Sequence, residues 1–189
     1  MKNTVIAKNK DHLLELIKQE MKVNGNNCNL NHIDVYKIKD MGGLFFNSKF
    51  NGNISEWNVS KVEDMGYMFT NSEFNGDIYQ WNVSNVKTMY SMFRDSNFNR
   101  DINNWDVSKV EDMNILFLNS KFDKNLSEWR PHNLESVDKI FEMSKAPIPY
   151  WAEFGDKENR NRAINTYWLE KELSKDLSDN KEQKIKFKL

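Results

Sequence analysis

The chain has 189 residues and a formal net charge of −1, from 27 Lys and Arg against 28 Asp and Glu, so its overall charge gives no field that would attract DNA or RNA. Aromatic residues make up 13% of the sequence, and this supply of large apolar side chains argues against a disordered chain. The single cysteine, Cys28, cannot form an internal disulfide and is typical of a reducing compartment.

The N-terminal segment, residues 1–28, is predicted to be a cap containing one helix. The helix is expected over Lys10–Val23, with Asn9 or Asp11 as its N-cap and Gly25 at its end. Residues 1–10 are too polar for the apolar region of a signal peptide. No stretch approaches the roughly 18 consecutive apolar residues of a membrane span. We therefore predict a cytoplasmic protein that has no contact with a membrane.

A 24-residue repeat dominates residues 29–146 and amounts to about 4.5 units. Tryptophan, phenylalanine, methionine and serine all recur at this one period, which predicts a repeat architecture. The recurring residues are Trp57, Trp81, Trp105 and Trp129; Phe50, Phe74, Phe98 and Phe122; Met41, Met65, Met89 and Met113; and Ser48, Ser72, Ser96 and Ser120.

Each unit contains two local patterns. Ile54-x-x-Trp57-x-Val59 has the spacing of a leucine-rich-repeat strand, and Met65-x-x-Met68-Phe69 has the spacing of a helical turn. One unit is too small to bury its own aromatic residues, so neighbouring units must stack at about 4.8 Å, the spacing of paired strands. The predicted fold class is therefore an α+β repeat solenoid of leucine-rich-repeat-like coils with short parallel strands.

The C-terminal segment, residues 147–189, is predicted to be a second cap. The last repeat is expected to be irregular, with three extra residues around Arg130, Pro131 and His132. A helix is predicted from Asp156 to about Leu177. The charged tail after it is expected to fray.

The segment Phe74–Phe93, F-N-G-D-I-Y-Q-W-N-V-S-N-V-K-T-M-Y-S-M-F, resembles the BspA-like leucine-rich repeats of bacterial and mobile-element proteins. Those repeats have about 25 residues and the pattern F-N-x-D-I-S-x-W-D-V-S-x-V-x-x-M-x-x-M-F. The resemblance covers residues 29–143. It implies a right-handed solenoid that binds proteins, often in bacterial surface adhesins.

Residues with catalytic or metal-binding chemistry do not form recognisable sets. His12, His32 and His132 are scattered and lack metal-ligand spacing with Cys28. The serine that follows each Trp-x-Val has no accompanying histidine base. We therefore predict no metal, no cofactor and no enzymatic activity.

Two sets of residues are candidates for binding another protein. The first is a concave strip of outward-facing residues that vary from unit to unit, which is what a specific surface needs. Its members are Asp34, Glu56, Asn58, Tyr79, Gln80, Asn82, Asn104, Asp106, Glu128 and Arg130. The second is a set of C-terminal aromatic residues of the kind enriched in binding hot spots. The favoured interpretation is that they cap the last coil, because an uncapped coil would leave apolar surface exposed. Its members are Tyr150, Trp151, Tyr167 and Trp168.

The function predicted from the sequence is a non-catalytic intracellular binder, or steric inhibitor, of a larger protein. The family resemblance suggests a bacterial chain that could be encoded by a phage or mobile element. A surface adhesion module is one alternative. A second is a nucleic-acid-associated binder acting through the basic tail at Lys181–Lys188. The few charges of this tail argue against nucleic acid as the partner, because they would give only weak, salt-sensitive binding. The chain is expected to be a monomer or a weak homodimer.

Overall fold

The computed structural model describes residues 4–186 and the side chains as far as Ser178. Its regular elements are few. In chain order they are strand β1 (Val5–Ile6), helix α1 (Lys10–Asn24), strand β2 (Ile33–Asp34), a 3₁₀ helix (Tyr150–Glu153) and helix α2 (Lys157–Lys186). In residues 4–186, no helix combines the length and the apolar sequence needed to cross a lipid bilayer.

Helix α1 covers one end of the molecule and is defined by its caps. The side chain of Asn9 accepts a hydrogen bond from the backbone N–H of His12, at 2.9 Å. Gly25, with φ of 76°, ends the helix and donates its N–H to the carbonyl of Met21. The buried side chains Leu13 and Ile17 pack onto the first repeat unit, so this helix shields the apolar end of the repeats.

Strand β1 pairs in parallel with β2, with Val5 opposite Ile33. The N–H groups of Val5 and Ala7 donate to the carbonyls of His32 and Asp34, each at 2.9 Å. The N-terminal segment therefore covers the exposed edge of the first unit, where an unpaired strand would otherwise remain.

The predicted fold class, an α+β solenoid with a short parallel strand in every coil, is wrong. In residues 4–186 regular strands occur only at β1 and β2, and the positions equivalent to β2 in later units are irregular. The N–H of Trp57 donates to the carbonyl of Ile54 within its own unit, and that of Val62 donates to Val59. The same turn is present in the first unit, where the N–H of Ile33 donates to the carbonyl of Leu30. Strand β2 differs in having β1 as a pairing partner.

The helical turn predicted at Met65–Phe69 is also wrong. Tyr67 and Asn71 have φ angles of 58° and 50°, which interrupt any right-handed helical turn. The apolar residues at helical spacing are instead placed inward by a series of turns.

Neighbouring 24-residue units are joined mainly by a set of backbone hydrogen bonds that we call the turn ladder. It consists of N–H donors in residues 41–47, 65–71, 89–95 and 115–119, each bonded to a carbonyl of the following unit. In the first joint the donors Met41, Gly43, Phe45 and Asn47 bond the carbonyls of Asp64, Gly66, Met68 and Thr70 at 2.9 to 3.0 Å. Every bond of the ladder has its donor in the earlier unit.

The core consists of stacked aromatic columns. Rings of one phenylalanine column, which includes Phe45 and Phe69, have centroids 5.4 to 5.7 Å apart. In the tryptophan column each indole Nε1 donates to a backbone carbonyl of the preceding unit, at 2.9 to 3.3 Å. Trp151, from the 3₁₀ helix, stacks 6.4 Å from Trp129 and ends this column.

The last repeat keeps the 24-residue step, so the predicted three-residue insertion is wrong. Phe141 stacks on Phe117 with centroids 5.7 Å apart, and the carbonyl of Ile140 accepts the N–H of Phe117. Leu134 is fully buried, 24 residues after Val110. Pro131 takes the place of the valine found in earlier units, which disguised the repeat in the sequence.

Helix α2 is attached to this last unit by a buried cation. Arg160 is fully buried and donates to the backbone carbonyls of Leu134, Phe154 and Gly155. Lys157 pairs with Glu135 at 2.6 Å. The helix extends to Lys186, beyond the predicted end near Leu177. The predicted basic tail, Lys181–Lys188, lies outside the residues whose side chains are described.

Candidate protein-binding site

The residues of the predicted strip lie in successive units, and nearly all are exposed. Asp34 is partly buried, while Glu56, Gln80, Asn104 and the exposed Tyr79 face solvent. No regular strand carries them beyond β2, so they form a turn-built surface and not the face of a sheet.

Several strip residues maintain the turns on which they lie. The side-chain oxygens of Asn58, Asn82 and Asp106 accept the N–H of the serine two residues later, at 3.0 to 3.2 Å. Such side-chain turns fix the local backbone. These three side chains therefore stabilise the local backbone, so a partner that binds here contacts side chains that already form hydrogen bonds within the turn.

The end of the strip meets helix α2. The carboxylate of Glu128 forms an ion pair with Lys171 and accepts a hydrogen bond from the Tyr167 hydroxyl at 3.4 Å. The guanidinium of Arg130 lies 3.4 Å from the ring centroid of Trp168. The structure thus brings the end of the first predicted set beside the second.

The C-terminal aromatic residues divide between core and surface. Trp151 is fully buried at the end of the tryptophan column, so it serves as a cap. Tyr150 stacks on Tyr167 with centroids 4.3 Å apart, and Tyr167 meets Trp168 edge to face at 5.9 Å. Burial of the Tyr150 hydroxyl, with a smaller contribution from neighbouring Tyr167, raises its pKa to about 12.

A cleft of about 550 Å³ lies where the strip meets α2; we call it the strip–helix cleft. Its walls combine polar and charged groups with an aromatic ring, a composition suited to protein recognition. They include Asn104, Asp106, Glu128, Arg130, His132 and Trp168.

The sequence could not reveal this cleft because its two walls are distant in the chain. Trp168 lies 38 residues after Arg130 and outside the repeat. One signal was available: Arg130 and His132 occupy positions where earlier units have Asn or Asp and serine. The last unit therefore departs from the repeat at the place where α2 approaches.

A lysine cluster on the surface was not predicted. Glu63 pairs with Lys39 at 2.9 Å and with Lys87 at 2.8 Å. Its hydrogen bonds to these ammonium groups, Lys87 contributing most, lower the pKa of Glu63 to about 2. Lys61 and Lys109 complete a shallow hollow of about 500 Å³. The signal that could have found it is the spacing in the sequence: Lys39 and Lys87 lie 48 residues apart, which is two units, and Glu63 lies midway between them.

Comparison with known protein families gives one result. The family model described as "Mycoplasma protein of unknown function, DUF285" matches residues 13–117 and 94–151. The chain belongs to this family. The two matched ranges overlap over residues 94–117, which is 24 residues, the length of one unit. Searches among curated proteins and solved structures gave no match.

The matched region of this DUF285 chain covers only one wall of the strip–helix cleft. It includes Glu128, Arg130 and the buried Trp151, but it ends at residue 151. Helix α2, which contributes Trp168 and Lys171, begins after it. The cleft therefore combines a surface from the family region with a helix outside the matched range.

Proposed function

We propose that this DUF285 protein is a non-catalytic protein-binding module whose partner contacts the exposed strip and enters the strip–helix cleft. The observation that carries the proposal is the cleft itself, in which exposed charged groups converge with the ring of Trp168. Aromatic and arginine side chains at the edge of a concavity are typical centres of protein interfaces.

The stacked core supports a steric mode of action. Each unit is joined to the next by the turn ladder and by stacked rings, so the strip is displayed on a closely packed body. A body of this kind blocks a partner by covering its surface and needs no chemistry of its own. The proposal accordingly includes inhibition of a larger protein. The resemblance to BspA-like repeats, which implies protein binding, supports it.

The proposed location is the cytoplasm. Cys28 is the single cysteine of the chain and is buried, so it cannot form an internal disulfide, as is usual for cysteine in a reducing compartment.

Variants that remove or reverse the negative charge of strip residues test the proposal. Glu56 and Asp106 are exposed, and neither forms an ion pair with the described residues. A partner captured from native-host lysate in the presence of nuclease is purified, and its affinity for the wild type is measured by calorimetry. We expect the double variant Glu56→Lys, Asp106→Lys to bind at least about tenfold more weakly, since like charges brought together at an interface cost several kcal/mol.

Two controls make this outcome specific. Glu56→Gln and Asp106→Asn introduce the residues that other units carry at these positions, Gln80 and Asn82, so they preserve the local turns. Glu73→Lys reverses an exposed charge outside the strip and is expected to leave the affinity unchanged. Equal loss of affinity in Glu73→Lys, or full affinity in the double reversal, would contradict use of the strip.

A further inference from the structure

Arg130 is held in a fixed orientation but has unused hydrogen-bonding capacity. Its guanidinium lies over the Trp168 ring, with Cζ 3.4 Å from the centroid. Among the described residues, its side chain forms no ion pair and donates no hydrogen bond to another group. The neighbouring cations differ: Lys171 pairs with Glu128, and Arg160 binds three carbonyls.

The fold does not require an arginine at this position. The equivalent residues Asn58, Asn82 and Asp106 each close a turn by accepting the N–H of a serine. Arginine has no acceptor, and in the last unit the N–H of His132 bonds instead to the backbone carbonyl of Arg130, at 2.8 Å. In the last unit, Arg130 thus replaces a turn-forming side chain and places a cation in the strip–helix cleft.

We propose that Arg130 is the receptor for a carboxylate group of the partner protein. A guanidinium stacked on an aromatic ring keeps its planar N–H edge free, and that edge matches a carboxylate with two parallel hydrogen bonds. Stacking on Trp168 fixes the plane of the guanidinium before the partner arrives, which reduces the entropy lost on binding. This inference rests on the proposed function and names the chemistry of its central contact.

The acidic groups of the cleft leave Arg130 available. Glu128 is engaged by Lys171 and by the Tyr167 hydroxyl. Asp106 accepts the N–H of Ser108 at 3.0 Å and forms no ion pair with Arg130. One free guanidinium beside these carboxylates suits a monoanionic carboxylate better than a dianionic phosphate, since the second negative charge would meet like charge.

The test follows the Arg130 Nε–H signal by NMR, because protons above an indole ring have a distinctive shift. Two probes carry one carboxylate each: acetyl-Gly-Gly-Glu-amide has it on a side chain, and acetyl-Gly-Gly-Gly has it at the chain end. We expect a saturable shift with at least one probe at millimolar concentration. Sodium chloride at equal ionic strength is expected to give none. The stronger probe identifies the source of the carboxylate.

Variants assign the effect to the guanidinium. Arg130→Asn installs the residue of Asn58 and Asn82 and is expected to abolish probe binding, monitored through the Trp168 indole N–H. Arg130→Lys keeps the charge without the planar fork and is expected to weaken binding at least about fivefold. Arg162→Asn, which changes an exposed arginine paired with Glu158, serves as the control and is expected to bind as the wild type.

The outcomes separate this inference from the proposed function. Equal shifts with chloride, or undiminished probe binding by Arg130→Asn, would overturn the carboxylate receptor even if the partner still binds the strip. Conversely, probe binding that depends on Arg130 supports the receptor even if the strip reversals leave partner affinity intact, which would overturn the proposed function alone.

Discussion

At the scale of single residues, the backbone of each unit adopts left-handed conformations at two recurring positions. The first series has φ angles between 50° and 69° and is occupied by Gly43, Tyr67, Ser91, Ile115 and Lys139. Only glycine adopts this conformation without a steric penalty, and a β-branched residue is the least suited to it. Ile115 therefore contributes strain that the surrounding unit has to offset.

Replacing Ile115 by glycine is expected to stabilise the protein. Relief of the left-handed conformation is worth about 1–2 kcal/mol, and part of it is offset by the greater backbone entropy of glycine in the unfolded chain. We expect a net rise of up to about 1 kcal/mol in the free energy of unfolding, measured by urea denaturation. Ile115→Val keeps the branched side chain and should give no gain.

Gly52 is required for a different reason, the close approach of two backbone segments in neighbouring units. A Cβ atom there would lie 1.9 Å from the carbonyl oxygen of Cys28. We expect Gly52→Ala to destabilise the protein by about 1–3 kcal/mol, as forced overpacking usually does. In denaturant melts Gly76→Ala should cost less, because the equivalent residues Arg100 and Lys124 already carry side chains. The same loss in both variants would contradict this explanation.

At the scale of elements, the sequence predicted the spacing of the units but not their backbone. Periodic tryptophan and phenylalanine residues identified the core columns, because large apolar side chains that recur at one position of every unit pack on one another when the units stack. The strand predicted at Trp57–Val59 is absent, although its equivalent in the first unit, β2, is a strand. Asn58 closes a turn with the N–H of Ser60, but Asp34 in β2 closes the same turn with the N–H of Tyr36, so the turn does not decide the outcome. Strand β2 has β1 as its pairing partner, and a period-two apolar pattern shows which side chains face inward but not whether such a partner is present.

The cluster around Glu63 links neighbouring units through charge. Lys39 and Lys87 lower the pKa of Glu63 from 4.5 to about 2, so the folded state favours its ionised form. The resulting stability is fully present above pH 4.5 and is lost as the pH falls to about 2.

This shift predicts a specific pH dependence. Glu63→Gln removes the titrating group, so its thermal midpoint is expected to fall less steeply than that of the wild type between pH 4.5 and pH 2. Glu73→Gln, at an exposed position, is the matched control and should retain the wild-type slope. Parallel curves for Glu63→Gln and the wild type would show that the cluster adds nothing to stability.

At the scale of the whole molecule, the candidate site depends on the position of helix α2. The repeat units provide one wall of the strip–helix cleft, and α2 provides the other through Trp168. The position of α2 depends on Arg160, whose burial lowers its pKa and whose donors hold three carbonyls. Sequence reasoning missed this because a buried arginine has no periodic signature.

Removal of that cation is expected to release α2 without unfolding the units. Arg160→Met leaves the carbonyls of Leu134, Phe154 and Gly155 without their donor, and each buried unpaired group costs about 1–3 kcal/mol. We expect faster amide exchange in α2, loss of the Arg130–Trp168 contact and unchanged protection at residues 41–71. Arg162→Met, an exposed arginine, should leave exchange unaltered. Uniform loss of protection would mean that α2 and the units unfold together.

The turn ladder also gives one side of the molecule a direction. Because every N–H donor of the ladder points from an earlier unit to a later one, the peptide dipoles of successive ladder joints add, as they do along a helix. Backbone bonds on other sides of the units, such as that from the N–H of Glu63 to the carbonyl of Lys39, point the opposite way, so this direction belongs to the ladder alone. The two ends of the ladder therefore present different backbone groups, carbonyls toward α1 and N–H groups beyond the last unit.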